Sequence, residues 1–164
     1  MQILNLTNNK IKVIQCLPKN LKELNLTGNL VDEIEPLRQP LTSLIHLGVA
    51  YNLLKTENLE TIANNFPNLF CLDAAFNELC EFSGACQALE QLEGIKMLYL
   101  NGNPLALTPN YREILKQRFQ NLKILDGTTA FTELEENAKK KHRKRVTARL
   151  AHLGDIPKDA FKIP

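Results

Sequence analysis

Residues 95–105 read IKMLYLNGNPL, and the same phrase, Leu-x-x-Leu-x-Leu-x-x-Asn-x-Leu with apolar substitutions, stands at four earlier places in the chain. They are MQILNLTNNKI from Met1, LKELNLTGNLV from Leu21, LIHLGVAYNLL from Leu44 and LFCLDAAFNEL from Leu69. The asparagines that close the phrase, Asn9, Asn29, Asn52, Asn77 and Asn103, are spaced by 20, 23, 25 and 26 residues. Recurrence at roughly 20–29 residues predicts stacked coils, each made of one short strand and one return segment.

Each position of the phrase has a physical task. Side chains alternate along a strand, so the spaced Leu, Ile and Val point into the core while the residues between them project from the opposite, concave face of a parallel sheet. The Asn stands where the chain leaves the strand. Its amide carries an acceptor and two donors, enough to satisfy backbone groups of its own loop and of the adjacent coil. All five asparagines are therefore read as structural.

The return segments lengthen along the chain. IKVIQCLPKN and VDEIEPLRQPLTS are broken by Pro18, Pro36 and Pro40 and predict turns or a little 3₁₀ structure. KTENLETIANNFP spaces Leu59, Ile62 and Phe66 helically, and EFSGACQALEQLEG does so with Phe82, Cys86, Leu89 and Leu92, which predicts two short convex helices. After Asn103 the stretch NPLALTPNYREILKQRFQNLKILDG puts Tyr111, Ile114, Leu115 and Phe119 on one helical stripe and then cuts the next strand short at Leu125-Asp126-Gly127. That is a cap over residues 104–127, needed because the last coil of a stack would otherwise expose an apolar edge. At the other end Met1 falls on the first position of the phrase, so a cap over the first coil is expected to be missing, as in a fragment or truncated isoform.

The phrase resembles that of leucine-rich-repeat proteins, and NPL…YR…L…LDG resembles the cap of their intracellular members, of the spliceosomal A-prime and axonemal dynein light chain kind. HLGVAYNLL, FPNLFCLDAAFNEL and LYLNGNPLALTPNYR are similar to the leucine-rich-repeat-containing protein forty-three family over about residues 21 to 127. The resemblance implies an α/β leucine-rich-repeat solenoid, with a parallel concave sheet and short convex helices or 3₁₀ turns. It also implies an intracellular scaffold, in a ciliated cell, with no catalytic residues to transfer.

Composition narrows the function classes. The chain has 164 residues, 44% hydrophobic and 23% charged, an ordinary length for one domain with ample core material. No run approaches the roughly 20 apolar residues of a membrane helix, and MQILNLTNNK lacks the pattern of a signal peptide. A cytoplasmic or ciliary location is expected, with a nuclear one as the alternative, and no membrane partner. Cys16, Cys71, Cys80 and Cys86 form no C-x-x-C pair and have no nearby His, so neither a metal site nor a disulfide framework is indicated, and no cofactor is expected.

Function is expected on the concave face. Its rows read Ile3, Asn5, Thr7; Glu23, Asn25, Thr27; His46, Gly48, Ala50; Cys71, Asp73, Ala75; and Met97, Tyr99, Asn101. Gly48, Ala50 and Ala75 would let a partner backbone approach, with Tyr51, Phe70, Phe76, Met97 and Tyr99 around them as apolar and aromatic contacts. The partner-binding set is thus Glu23, His46, Ala50, Tyr51, Phe70, Asp73, Phe76, Met97, Tyr99 and Asn101, seating a partner helix or extended segment. Phe70 and Phe76 packing locally over the strand ends is the plainer alternative. On this reading Ala50→Arg with Ala75→Arg blocks docking. His46 and Asp73 lie on different repeats with no nucleophile or phosphate loop beside them, so they are read as partner-selecting groups rather than an acid–base pair. Neither an enzyme nor a small-molecule substrate is expected.

Residues 1–131 form the repeat domain on this reading, and 132–164 a charged extension. Thr132 to Leu153 reads as one helix, with Thr132 and Glu135 at capping-box spacing and Gly154 and Pro157 at its end. It carries Lys139, Lys140, Lys141, Arg143, Lys144 and Arg145. Residues 132–164 hold nine basic and five acidic side chains, against eleven and thirteen before them, so the net charge of +2 resides in the tail. Such a run suits a solvated extension, a nucleic-acid backbone or an anionic tubulin tail. The first function class is therefore a protein-interaction scaffold, and the second a ribonucleoprotein component using the basic helix.

Overall fold

A computed structural model gives the architecture and describes residues 2–131 and Lys144. The chain divides into two compact units, Met1–Ala130 and Phe131–Pro164. In chain order the elements are β1 (Ile3–Asn5), β2 (Val13–Ile14), β3 (Glu23–Asn25), β4 (Glu33–Ile34), β5 (His46–Gly48), α1 (Glu57–Asn65) and β6 (Cys71–Asp73). There follow α2 (Phe82–Glu90), β7 (Met97–Tyr99), a 3₁₀ turn (Pro104–Leu107), α3 (Tyr111–Arg118), β8 (Ile124–Leu125) and β9 (Thr128–Thr129).

The third to fifth positions of every phrase form the strand, and the strands line up in the order β1-β3-β5-β6-β7-β8-β9, parallel up to β8. Their register stacks Leu4, Leu24, Leu47, Leu72, Leu98 and Leu125 in one row. From Leu24 onward that row is buried, as are Leu21, Leu44, Leu69, Ile95 and Leu122 at the first position. Each such side chain contributes about 1.5–3 kcal/mol, and the core is a strip running the length of the stack. On the outer strand β1 that row is less covered, with Leu4 half-buried.

The asparagine ladder bonds as its chemistry predicts at four rungs. Asn52 Nδ2 donates to Leu26 O, Val49 O and Ala50 O while its Oδ1 accepts from Val31 N, and Asn77 repeats the pattern one coil on with Val49 O, Ala74 O, Ala75 O and Leu54 N. Asn29 joins Leu6 O, Leu26 O and Ile11 N. Asn9 is exposed and bonds only Leu6 O and Thr7 O of its own loop.

The two convex helices form where the apolar spacing puts them, and they pack on each other; Glu81 caps α2 by accepting from Ser83 N and Gly84 N. The first two return segments hold the expected turns, at Lys19–Asn20 and Thr42–Ser43, and no 3₁₀ structure. They also hold a parallel two-stranded pair that was not expected, Val13 against Glu33 and Ile14 against Ile34. The prolines exclude helix, and two extended segments of equal reach then satisfy their backbones on each other. Asn65, at the end of α1, is a further buried amide outside the ladder, donating to Glu35 O and accepting from Leu37 N.

The cap closes the sheet by a device the sequence reading did not resolve. Asp126 (φ 50°) and Gly127 (φ 77°) form a two-residue left-handed turn that folds β9 back antiparallel on β8, the turn that an Asp-Gly pair favours. In earlier coils the amide of the sixth position donates to the next coil's fifth carbonyl, as Ala74 N does to Tyr99 O. At the last coil Leu100 N and Asn101 N donate to the Asp126 carboxylate, so a side chain ends the hydrogen-bond ladder. Arg112 pairs with Asp126 at 3.4 Å and donates to Leu125 O and Thr128 Oγ1. Tyr111, the other half of the YR signature, is buried, its ring 5.9 Å from that of Phe82.

The expected helix Thr132–Leu153, with Lys139, Lys140, Lys141, Arg143 and Arg145, lies outside the described residues; Lys144 is helical and exposed. Among the described residues no helix is long and apolar enough to cross a membrane.

Candidate functional site

Strand register places the candidate residues in two rows on the concave face. The third-position row runs Ile3, Glu23, His46, Cys71, Met97, Ile124, and the fifth-position row Asn5, Asn25, Gly48, Asp73, Tyr99. Glu23 and His46 face each other across β3 and β5, with Nδ1 3.8 Å from Oε1, and the His46 ring lies 6.1 Å from that of Phe70, tilted by 41°. Met97 and Tyr99 are half-buried.

Asp73 is half-buried, and its Oδ1 accepts from Ala75 N at 3.2 Å, an Asx turn also made by Asn5 with Thr7 N and Asn25 with Thr27 N. Burial raises its pKa above the ordinary carboxylate value, the Ala75 N–H opposing that rise. The folded chain therefore holds this proton more tightly than the unfolded one. Stability from Asp73 is present in acid and falls as pH rises from the ordinary carboxylate range through the raised value. Burial, with the Asp73 charge beside it, pushes the Cys71 thiol up to about 11, so Cys71 stays protonated at neutral pH and is no nucleophile.

The aromatics divide into two places rather than one. Phe70 precedes β6, beside His46, whereas Phe76 lies beyond the other end of β6, where its ring stacks on Tyr51 with centroids 4.4 Å apart and planes within 8°. Tyr51 is 57% and Phe76 42% exposed. The eighth position of every coil takes a left-handed backbone: Asn8 (φ 57°), Gly28 (71°), Tyr51 (54°), Phe76 (53°) and Gly102 (75°). Asn and Gly adopt it readily, but an aromatic there costs about 1–2 kcal/mol. The Phe76 ring lies over Gly102, where a Cβ would stand 2.7 Å from its Cε1 and 2.8 Å from its Cγ. Gly102→Ala is expected to destabilise the fold by about 1–3 kcal/mol through strain and ring displacement. Thermal melts would measure the loss and near-ultraviolet circular dichroism the broken stack, with a smaller loss when Phe76 is already Gly.

Ala50 and Ala75 require correction. They are 3% and 6% exposed, and so offer a partner no area. Their strands stop at the fifth position, so alternation no longer governs the seventh. Gly48 keeps its place on the face. Asn101 is half-buried, its carbonyl accepting from Phe76 N. Gly102, the seat of the Phe76 ring, was missed; the Gly at the eighth position of the second and fifth phrases, Gly28 and Gly102, was the available signal.

No family model matches the chain. It is 39% identical over 129 residues to leucine-rich repeat-containing protein 43 of Homo sapiens and 38% over 129 residues to that of Mus musculus, covering 76% of this chain in both cases. The chain spans about a fifth of the length of these curated relatives, 20% and 19%. A solved structure, the Drosophila melanogaster SNF/U2A′ complex, superposes with a TM-score of 0.64 at 22% identity, over 88% of this chain and 87% of that one. The chain is a leucine-rich-repeat protein. Leucine-rich-repeat architecture accounts for the parallel concave sheet, the asparagine ladder and the convex helices together.

Proposed function

We propose that this leucine-rich-repeat chain is a non-enzymatic interaction scaffold that seats a partner helix or extended segment on the concave face, anchored at its rim by Tyr51 and Phe76. The stacked, exposed pair carries the reading. Two aromatics held in a backbone conformation that Gly or Asn would adopt more cheaply imply a role outside the fold, and aromatic rings are strong interface anchors. Glu23, His46, Asp73, Met97 and Tyr99 supply the floor and its selectivity. The resemblance to leucine-rich repeat-containing protein 43 favours a cytoplasmic or ciliary setting.

Tyr51→Gly with Phe76→Gly separates binding from folding. Glycine relieves left-handed strain while losing a stacking contact of about 0.5–1.5 kcal/mol, so stability should stay within about 1 kcal/mol of the parent. Quantitative proximity labelling with parent and variant is expected to show the same expression and loss of the partners enriched by the parent. An unchanged partner set from the folded variant would overturn the reading.

A second reading, a nuclear ribonucleoprotein component, is favoured by the basic run Lys139–Arg145. It requires RNA affinity at low salt that collapses when Lys140, Lys141 and Lys144 are exchanged for Glu, with a steep salt dependence. The same exchange abolishing tubulin-tail binding without any RNA affinity would assign the run to the ciliary setting.

A further inference from the structure

We infer that the concave groove takes a segment bearing an arginine, whose guanidinium pairs with the Asp73 carboxylate in the row that runs from Gly48 to Tyr99. This rests on the scaffold reading and names the chemistry its floor selects. Gly48, Asp73 and Tyr99 are in register on β5, β6 and β7. Adjacent strands lie about 4.8 Å apart, so Asp73 has no side chain beside it at Gly48, over which the Asn25 amide leans with its Oδ1 3.1 Å from where a Cβ would stand, and Tyr99 as its neighbour on the far side. Gly48 and Asp73 line a trough of about 320 Å³ together with Asn25, Glu23 and His46.

The charge on this floor has one sign. The concave strands β1, β3, β5, β6, β7 and β8 carry Glu23 and Asp73 and no Lys or Arg. Glu23 has His46 opposite it at 3.8 Å. Asp73 has no ion pair among the described residues, and its single hydrogen bond, from Ala75 N, goes to Oδ1. A half-buried carboxylate with one oxygen unsatisfied by protein is held at a loss of hydration that a bound cation recovers.

Arginine fits that need better than lysine. A planar guanidinium donates two parallel N–H bonds to a carboxylate while its face lies against an aromatic ring, and it sheds water more readily than an ammonium.

Selection of a random peptide library on the full chain provides the test. The recovered peptides are expected to share an arginine, and its replacement by citrulline, equal in shape but neutral, should weaken binding roughly tenfold. Asp73→Asn should lose the same factor and show no further loss with the citrulline peptide, while its melting temperature stays at or above that of the parent. Tyr99→Leu should weaken the arginine peptide more than its lysine counterpart. Peptides lacking a basic residue, or arginine peptides that bind Asp73→Asn as tightly as the parent, would overturn the inference. If those peptides still lose affinity to Tyr51→Gly with Phe76→Gly, the scaffold reading stands without the arginine seat. If neither variant affects them, both fail.

Discussion

Asn103→Leu is expected to lower the unfolding free energy of the repeat stack by about 3–5 kcal/mol, a large part of the roughly 5–15 kcal/mol available to a domain. Asn103 is 3% exposed. Its Oδ1 accepts from Asn77 N and Leu79 N, both at 3.1 Å, and its Nδ2 donates to Ala74 O and Leu100 O, both at 2.9 Å. Leucine fills the same space and satisfies none of them. Two buried N–H groups then have no acceptor, at about 1–3 kcal/mol each, and two carbonyls lose a donor. Because coils contact only their neighbours, the damage falls on the coil that must transmit order to the cap. Asn9→Leu, on an exposed rung bonded only within its own loop, should change stability by about 1 kcal/mol or less. Guanidinium denaturation followed by far-ultraviolet circular dichroism measures both. Equal midpoints for the two variants would show that the amide bridges between coils contribute nothing.

The contrast between those rungs marks how much the sequence disclosed. Periodicity located every concave strand up to Tyr99, because a leucine every second residue has one stable placement on a half-buried sheet. It located α1 and α2 by the same logic at helical spacing. It did not pair Val13–Ile14 with Glu33–Ile34, since nothing local in two short extended runs specifies that they meet. It did not expose Asn65 as a buried amide, because the backbone groups it satisfies lie in a different return segment, 28 and 30 residues earlier. Asp126-Gly127 carried a hairpin signal that was read only as a stop, although the same carboxylate closes the ladder and holds Arg112. On the candidate face the rows through Glu23, His46, Asp73 and Tyr99 were legible from alternation. The left-handed backbone at Tyr51 and Phe76 was not, since both residue types belong elsewhere by propensity, and it is the feature that most sets these two side chains apart from the core.

Ala50→Arg with Ala75→Arg is expected to cost about 4 kcal/mol or more and to leave little folded protein at 37 °C, rather than yield a folded chain that fails to bind. Ala50 and Ala75 are buried on adjacent coils. Their backbones cannot shift to release a side chain: Ala50 O accepts from Gly28 N and from Asn52 Nδ2, and Ala75 O from Tyr51 N and from Asn77 Nδ2. A guanidinium at either site must displace neighbours or reach water along its own stem, which limits the loss to several kcal/mol rather than the full desolvation of a charge. The combined loss should fall short of the sum of the single losses, because each substitution alone disturbs the one Tyr51–Phe76 stack, which can be lost only once. Thermal denaturation and size-exclusion chromatography decide the matter. A double-arginine variant that melts within a few degrees of the parent would mean that the seventh position is displayed after all. Tyr51→Gly with Phe76→Gly, one residue further along each coil, should melt near the parent. The boundary between holding the fold and meeting a partner thus falls between neighbouring residues, at the point where each strand gives way to a left-handed turn.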